Sequence, residues 1–189
     1  MSNLAELGAL AGLGRGGSRR SVLWQVIGLP PPEERLFAGR EPPDSKADPR
    51  AMSPLEETLA DYRNSGVTTG PHLLAHLRAE LDRRRVLPLS ALAACGDGSR
   101  VTTAGLIIVR QRPGAAKGFC FLTLEDETGT GNAVITPSSF ERLRAIVHSS
   151  AVVVVTGCLE QRDGVTHLRV EQMEPVTVPG PTPSSHDFH

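Results

Sequence analysis

His72 and His76 stand four residues apart, the spacing by which one helix face can offer two imidazoles to a metal ion. The His-Glu-x-x-His pattern also needs a carboxylate directly after the first histidine. Leu73 stands there, so helix capping and solvent exposure are the expectation for the pair. Ser185-His186-Asp187 has the letters of a hydrolytic triad, but three adjacent residues in a proline-rich tail cannot hold a relay geometry. Glu125, Asp126 and Glu127 could attract a cation, yet Thr128-Gly129 follows, and a tight turn accounts for them more simply. Cys95, Cys120 and Cys158 lie far apart without a Cys-x-x-Cys pair, which excludes a zinc ribbon on ligand count. Cys120 and Cys158 sit in apolar runs and are expected to pack as small hydrophobes. The glycines between Gly12 and Gly17 follow no strand, so they read as a joint between helices rather than a dinucleotide-binding turn. The expectation is a chain with no catalytic residue, no metal ligand and no cofactor of its own.

A different chemistry is written between residues 110 and 125. In a strand, alternate side chains point to opposite faces. Thr123 and Glu125 are polar and belong in water, and Phe119 and Phe121 share their parity. Cys120, Leu122 and Leu124 would then face a core. Two rings spaced by two on a solvent face can stack bases, at about 1–3 kcal/mol per base. The competing reading has the strand twist or bulge and send Phe121 inward. The stretch Arg110 to Gly118 adds Arg110, Arg112 and Lys117 beside the rings, as a surface that tracks phosphates requires. Further along, His167 and Arg169 alternate with Leu168 and Val170 and should point outward, and Gln161 and Arg162 sit in the loop before them. These ten residues (Arg110, Arg112, Lys117, Phe119, Phe121, Thr123, Gln161, Arg162, His167, Arg169) form the expected nucleic-acid surface. Arg142 and Arg144 read as ordinary solvated charge.

The elements that must position them follow from pattern. Val101–Val109, 119–124 and Asn132–Thr136 read as strands. Pro137-Ser138-Ser139-Phe140-Glu141 then opens a helix, with Ser138 and Glu141 spaced as a capping box and Phe140, Leu143 and Val147 on its buried side. Ala151–Leu159 and Val165–Val170 supply two more strands. Three strands, one helix and two strands is the order of an OB fold, a five-stranded Greek-key barrel that binds single strands on the face of its second and third strands. The fold class expected is therefore mainly β with helices, the barrel preceded by short helices and a proline-rich linker.

Upstream, residues 1–28 read as short helical pieces, with apolar stripes at Leu4, Leu7 and Leu10 and at Val22, Leu23, Val26 and Ile27. Residues 29–54 read as linker, because seven of the chain's fifteen prolines fall between Pro30 and Pro54. Ser53-Pro54-Leu55-Glu56 is a capping box with proline at the first helical position, and that helix should end by Ser65-Gly66. A second helix from Gly70-Pro71 would bury Leu73 or Leu74, Leu77 and Leu81 and close on Arg83, Arg84 and Arg85. These two helices make residues 55–98 a helical segment, residues 99–177 the barrel, and residues 178–189 a loose tail.

Net charge is −1, so bulk attraction cannot drive nucleic-acid binding and local asymmetry must. Residues 99–124 carry four basic side chains and no acidic one, whereas residues 125–177 carry four basic and eight acidic. The longest apolar run, Ala151–Val155, is far too short to cross a bilayer, and no secretory signal opens the chain. A cytoplasmic location without membrane contact is expected.

Arg110 to Gly114 and Gly118-Phe119-Cys120-Phe121-Leu122-Thr123-Leu124-Glu125-Asp126-Glu127-Thr128-Gly129 closely resemble the C-terminal OB region of bacterial C-family DNA polymerases. Within that family the resemblance is to the damage-inducible, error-prone homologue of the polymerase III alpha subunit. Asp61-Tyr62-Arg63, Gly70-Pro71-His72 and Ala75-His76-Leu77-Arg78 resemble the helical segment before that region, and Asp187-Phe188-His189 its ending. Leu7-Gly8-Ala9-Leu10 and Arg19-Arg20 through Trp24-Gln25 are similar to the end of its helix-hairpin-helix domain. Family members commonly have proline after the histidine where Leu73 stands here. The resemblance implies a large enzyme of translesion synthesis, DNA repair and replication, working with mutasome accessory proteins. Its magnesium-holding carboxylates would lie upstream of everything in this chain. Two expectations stay open: a single-stranded DNA template-guiding module, or a protein-interaction module for the other polymerase domains or accessory proteins.

Overall fold

A computed structural model of the chain describes residues 2–10, 18–27, 49–162, 164–178 and 186–188. It divides into two units, Met1–Thr69 and Gly70–His189.

The first unit holds α1 (Ser2–Glu6), α2 (Arg19–Ile27) and α3 (Pro54–Ser65). The capping box is present as its sequence requires: the Ser53 hydroxyl accepts from the Glu56 amide, and the Glu56 carboxylate accepts from the Ser53 amide. Gly66 ends α3 in the left-handed conformation (φ 75°), where a side chain would be strained. The Arg19 guanidinium meets the buried Asp61 carboxylate at 2.6 Å, and the Thr68 hydroxyl donates to its other oxygen. The expected glycine joint at Gly12–Gly17 and most of the proline-rich stretch lie outside the described residues.

In the second unit the expected single helix from Gly70 to Arg85 is two shorter pieces. His72 caps a 3₁₀ turn, Leu73–Leu77, by accepting from the Leu74 amide through Nδ1, and α4 runs only from Arg78 to Arg83. Leu73 and Leu74 are both fully buried, which one narrow stripe on a continuous helix serves poorly. The capping role foreseen for His72 is met. Its side chain is only 13% exposed, so the solvent exposure foreseen with it is not.

Five strands then close a barrel: β1 (Arg100–Gln111), β2 (Cys120–Asp126), β3 (Gly129–Ile135), β4 (Val152–Arg162) and β5 (Val165–Pro175). The order is β2-β3-β5-β4-β1, with β1 returning to β2. The first half of β1 pairs with β4 (Arg100↔Cys158 to Leu106↔Val152) and its second half with β2 (Leu106↔Glu125 to Gln111↔Phe121). A bulge between Ile107 and Val109, within the β1–β2 ladder and just past the last β1–β4 pair, gives the strand the bend that closure needs. β3 and β5 pair in parallel at Asn132–Val134 and His167–Arg169. This is the five-stranded OB barrel that the sequence order predicts. At Gly157 the backbone of β5 comes so near that a Cβ would collide with the Arg169 carbonyl oxygen; only glycine fits there.

α5 (Pro137–Ser149) lies between β3 and β4 and buries Phe140, Leu143 and Val147 as expected. Its cap differs from the sequence reading. Thr136, still extended at ψ 157°, accepts from the Ser139 amide, and Pro137 takes the first helical position, so Ser138 and Glu141 form no capping box. The 3₁₀ turn Leu89–Ala94 sends Leu89 and Leu92 into the barrel core. A short sixth strand, β6 (His186–Phe188), pairs in parallel with Val109–Gln111, where a loose tail was expected.

The three carboxylates at the end of β2 make the tight turn foreseen for them. Asp126, 3% exposed, accepts from the amide and hydroxyl of Thr128 and from the Leu89 amide, and Arg78 reaches it at 3.4 Å. Arg78 also donates through Nε to Glu127. One buried carboxylate thus ties the β2–β3 turn to the Leu89 turn and to α4.

Candidate nucleic-acid interface

β2 is read by its parity. Cys120, Leu122 and Leu124 are 3%, 1% and 1% exposed, while Phe121 and Phe119 stand at 38% and 36%. The inward alternative for Phe121 is excluded, because the bulge that could have shifted parity lies in β1, not β2. Thr123 and Glu125 lie half-buried on the same outer face.

Strand register extends that face around the barrel. Phe121 pairs with Gln111 on one side and Val134 on the other, Val134 with Arg169, and Arg169 with Cys158. The next row runs Val109, Thr123, Asn132, His167 and Glu160. The structure therefore brings Phe121, Thr123, His167 and Arg169 onto one continuous surface. Asn132, Val134 and Glu160 complete it. The sequence reading missed these three, though the inward parity of Ala133, Ile135 and Leu159 signals all of them. Cys158 is half-buried on this face rather than packed in the core, with its thiol toward the Gly98 carbonyl; Cys120 is the core thiol, and burial pushes its pKa up.

The cations of the first loop are distributed rather than grouped. Arg110 belongs to β1 and donates to the Ser150 carbonyl at the end of α5, a favourable place for positive charge. Arg112 is exposed, but its guanidinium lies 4.3 Å from the centre of the Phe140 ring, so one face is committed to the barrel end. Lys117 is exposed at the loop's return, in a left-handed conformation (φ 50°) just before Phe119. Gln161 is turned to the other side: its amide group donates to the Cys95 carbonyl and its backbone to Asp97. Arg162 is exposed at the end of β4.

Electrostatics on the outer face centre on Glu160. Arg169 donates through Nε to one carboxylate oxygen at 2.7 Å, and the His167 Nε2 lies 3.2 Å from the other. The Arg169 hydrogen bond holds the Glu160 pKa below its ordinary value. A pocket of about 120 Å³ opens where β3 and β5 part, lined among others by Leu92, Asn132 and His167. Small-molecule sites span roughly 300–1,000 Å³. The face is an open surface suited to an extended strand. Among the described residues no group of three His, Cys, Asp or Glu side chains converges as metal ligands would, and no helix is long and apolar enough to cross a membrane.

Residues 101–176 match the family described as OB-fold nucleic acid binding domain. Over 92% of its length the chain is 42% identical to the error-prone DNA polymerase of Alkalilimnicola ehrlichii, and over 98% it is 40% identical to that of Azoarcus sp. (strain BH72). The corresponding enzyme of Caulobacter vibrioides is 38% identical over 89% of the chain. The chain spans only 16–17% of the length of these relatives. It is thus a homologue, over that span, of error-prone DNA polymerases, and it carries an OB-fold nucleic-acid-binding domain.

Proposed function

We propose that the barrel binds single-stranded DNA across β2, β3 and β5 and guides template within an error-prone, translesion DNA polymerase, without supplying a catalytic residue. The observation that carries this reading is the exposed Phe121 ring on an outer face that has Arg169 in its own row and Thr123, Asn132 and His167 in the next. A ring there stacks on a base of any sequence, and the neighbouring cations meet phosphates. Polymerase chemistry and its magnesium belong, on this reading, to the larger part of the relatives that this chain does not span.

Fluorescence anisotropy of labelled single- and double-stranded oligonucleotides with the full 189-residue chain, at low and moderate salt, tests it. Salt-sensitive binding that prefers single strands and weakens at least fivefold in Phe121→Ala is the expected result. Equal affinity of wild type and Phe121→Ala would defeat it. A second reading, a docking module for other polymerase domains or mutasome accessory proteins, draws on β6: the edge of β1 at Val109–Gln111 pairs with an extended segment. Absence of DNA binding at low salt would favour this alternative.

A further inference from the structure

Glu160 is an acid in the middle of a face that the proposed function needs to be cationic. It lies beside His167 in the β4–β5 ladder, and both of its oxygens are taken, one by Arg169 Nε at 2.7 Å and one facing His167 Nε2 at 3.2 Å. A carboxylate held by a guanidinium and an imidazole on an open face presents the same arrangement of oxygens and donors as a phosphodiester. The three side chains are roughly a quarter to two-fifths exposed (Glu160 35%, His167 23%, Arg169 41%), so the trio is reachable from solvent. Exposed ion pairs of this kind contribute little, less than a charge-assisted contact to a polyanion that releases counterions. Displacing the carboxylate is therefore not prohibitive. His167 and Glu160 sit in the row that contains Thr123 and Asn132, and Arg169 in the row of Phe121, with β5 two strands across the face from β2.

We infer that Glu160 holds the place of a nucleic-acid phosphate, and that Arg169 with His167 forms a phosphodiester subsite which the strand enters by turning Glu160 aside. Glu160 is thereby a residue that weakens binding. It keeps the face from holding a strand tightly and discriminates against anions too poor to compete with it. This inference rests on the single-strand reading of the same face and assigns one of its contacts.

The test is Glu160→Gln in the full chain, probed by anisotropy with a labelled oligothymidylate over a series of salt concentrations. Glutamine keeps the size and an acceptor but removes the charge that competes with phosphate. Glu160→Gln should bind roughly three- to tenfold more tightly than wild type. Its salt dependence should steepen by up to about 0.7 in the log–log slope, the value for one further phosphate on a single strand. Arg169→Ala should weaken wild-type binding and abolish the gain when combined with Glu160→Gln. Thermal unfolding checks that each variant is folded. Wild-type binding that depends on Phe121 while folded Glu160→Gln binds no more tightly would overturn the subsite and leave the single-strand reading standing. No binding by wild type or Glu160→Gln, even at low salt, would overturn both.

Discussion

The two units of this chain are held together by different means. In residues 1–69 the buried apolar side chains among the described residues are Ala5, Val22, Leu59, Ala60 and Tyr62, while Leu4, Trp24, Ile27 and Val67 stand about half or more exposed. Order there is supplied by a capping box and by ion pairs such as Arg19–Asp61 and Arg20–Glu56. In residues 70–189 a closed barrel surrounds one continuous core, from Leu89 and Leu92 through Leu122, Leu124 and Ile135 to Leu159 and Leu168. The difference teaches where a binding face can be built. Aromatic rings can be left in water on a barrel wall because the other parity of the same strands is fully buried. The described residues of the first unit bury too few apolar side chains to offer such a reserve.

The sharpest way to break this comparison is at Asp126, the polar centre of the second unit. Asp126→Ala leaves the Leu89 amide and the Thr128 amide without their acceptor and strips Arg78 of one carboxylate. A loss of about 3 kcal/mol in urea unfolding is expected; a loss under 1 kcal/mol would mean the hydrophobic core alone fixes the turn. Leu122→Ala and Leu59→Ala compare the units directly. The barrel residue should cost about 3–4 kcal/mol, and Leu59, in a unit where fewer of the described apolar side chains are buried, nearer 2. Equal losses would remove the contrast. Phe121→Ala is expected to lower DNA affinity by about 1–2 kcal/mol while leaving the unfolding midpoint in place. A large drop in stability would instead return the ring to a packing role.

A smaller effect is carried by pH. Burial pushes the His72 pKa below its ordinary 6.5, outweighing the opposite pull of Glu125, Glu127 and Asp126. The folded state then resists the proton that the unfolded chain accepts. The His72 contribution to stability is therefore fully present above about pH 6.5 and is lost as pH drops below it. His72→Asn, which keeps a capping acceptor, should flatten that part of the profile in unfolding measured between pH 7.5 and 5.5. The smallest change expected is Ser53→Ala, about 1 kcal/mol or less, detectable as loss of helical signal at low denaturant.

Much of this was legible in the residues themselves. The α3 cap at Ser53, the alternation of β2 and the strand–helix order are all local periodicities or contacts within four residues. The start of α5 at Pro137 was read correctly but its cap was misplaced by two positions, because Thr136 and Ser138 are both competent caps and only the path of the chain leaving β3 chooses between them. The helix expected from Gly70 to Arg85 failed for a similar reason: two adjacent leucines were both wanted by a core that its own sequence window does not contain.

The sequence by itself determined the alternation of β2, since the period of two is built into extended backbone and needs no partner; that no bulge sends Phe121 inward was decided by the fold. Only the tertiary structure decided what the charges do. Arg110 goes to the Ser150 carbonyl, Arg112 to the Phe140 ring, and Glu160 to both His167 and Arg169. The partners of Arg110 and Arg112 come from distant parts of the chain and those of Glu160 from across the β4–β5 hairpin, and the energy of a charge depends on what lies within a few ångströms in space, not on its neighbours along the chain.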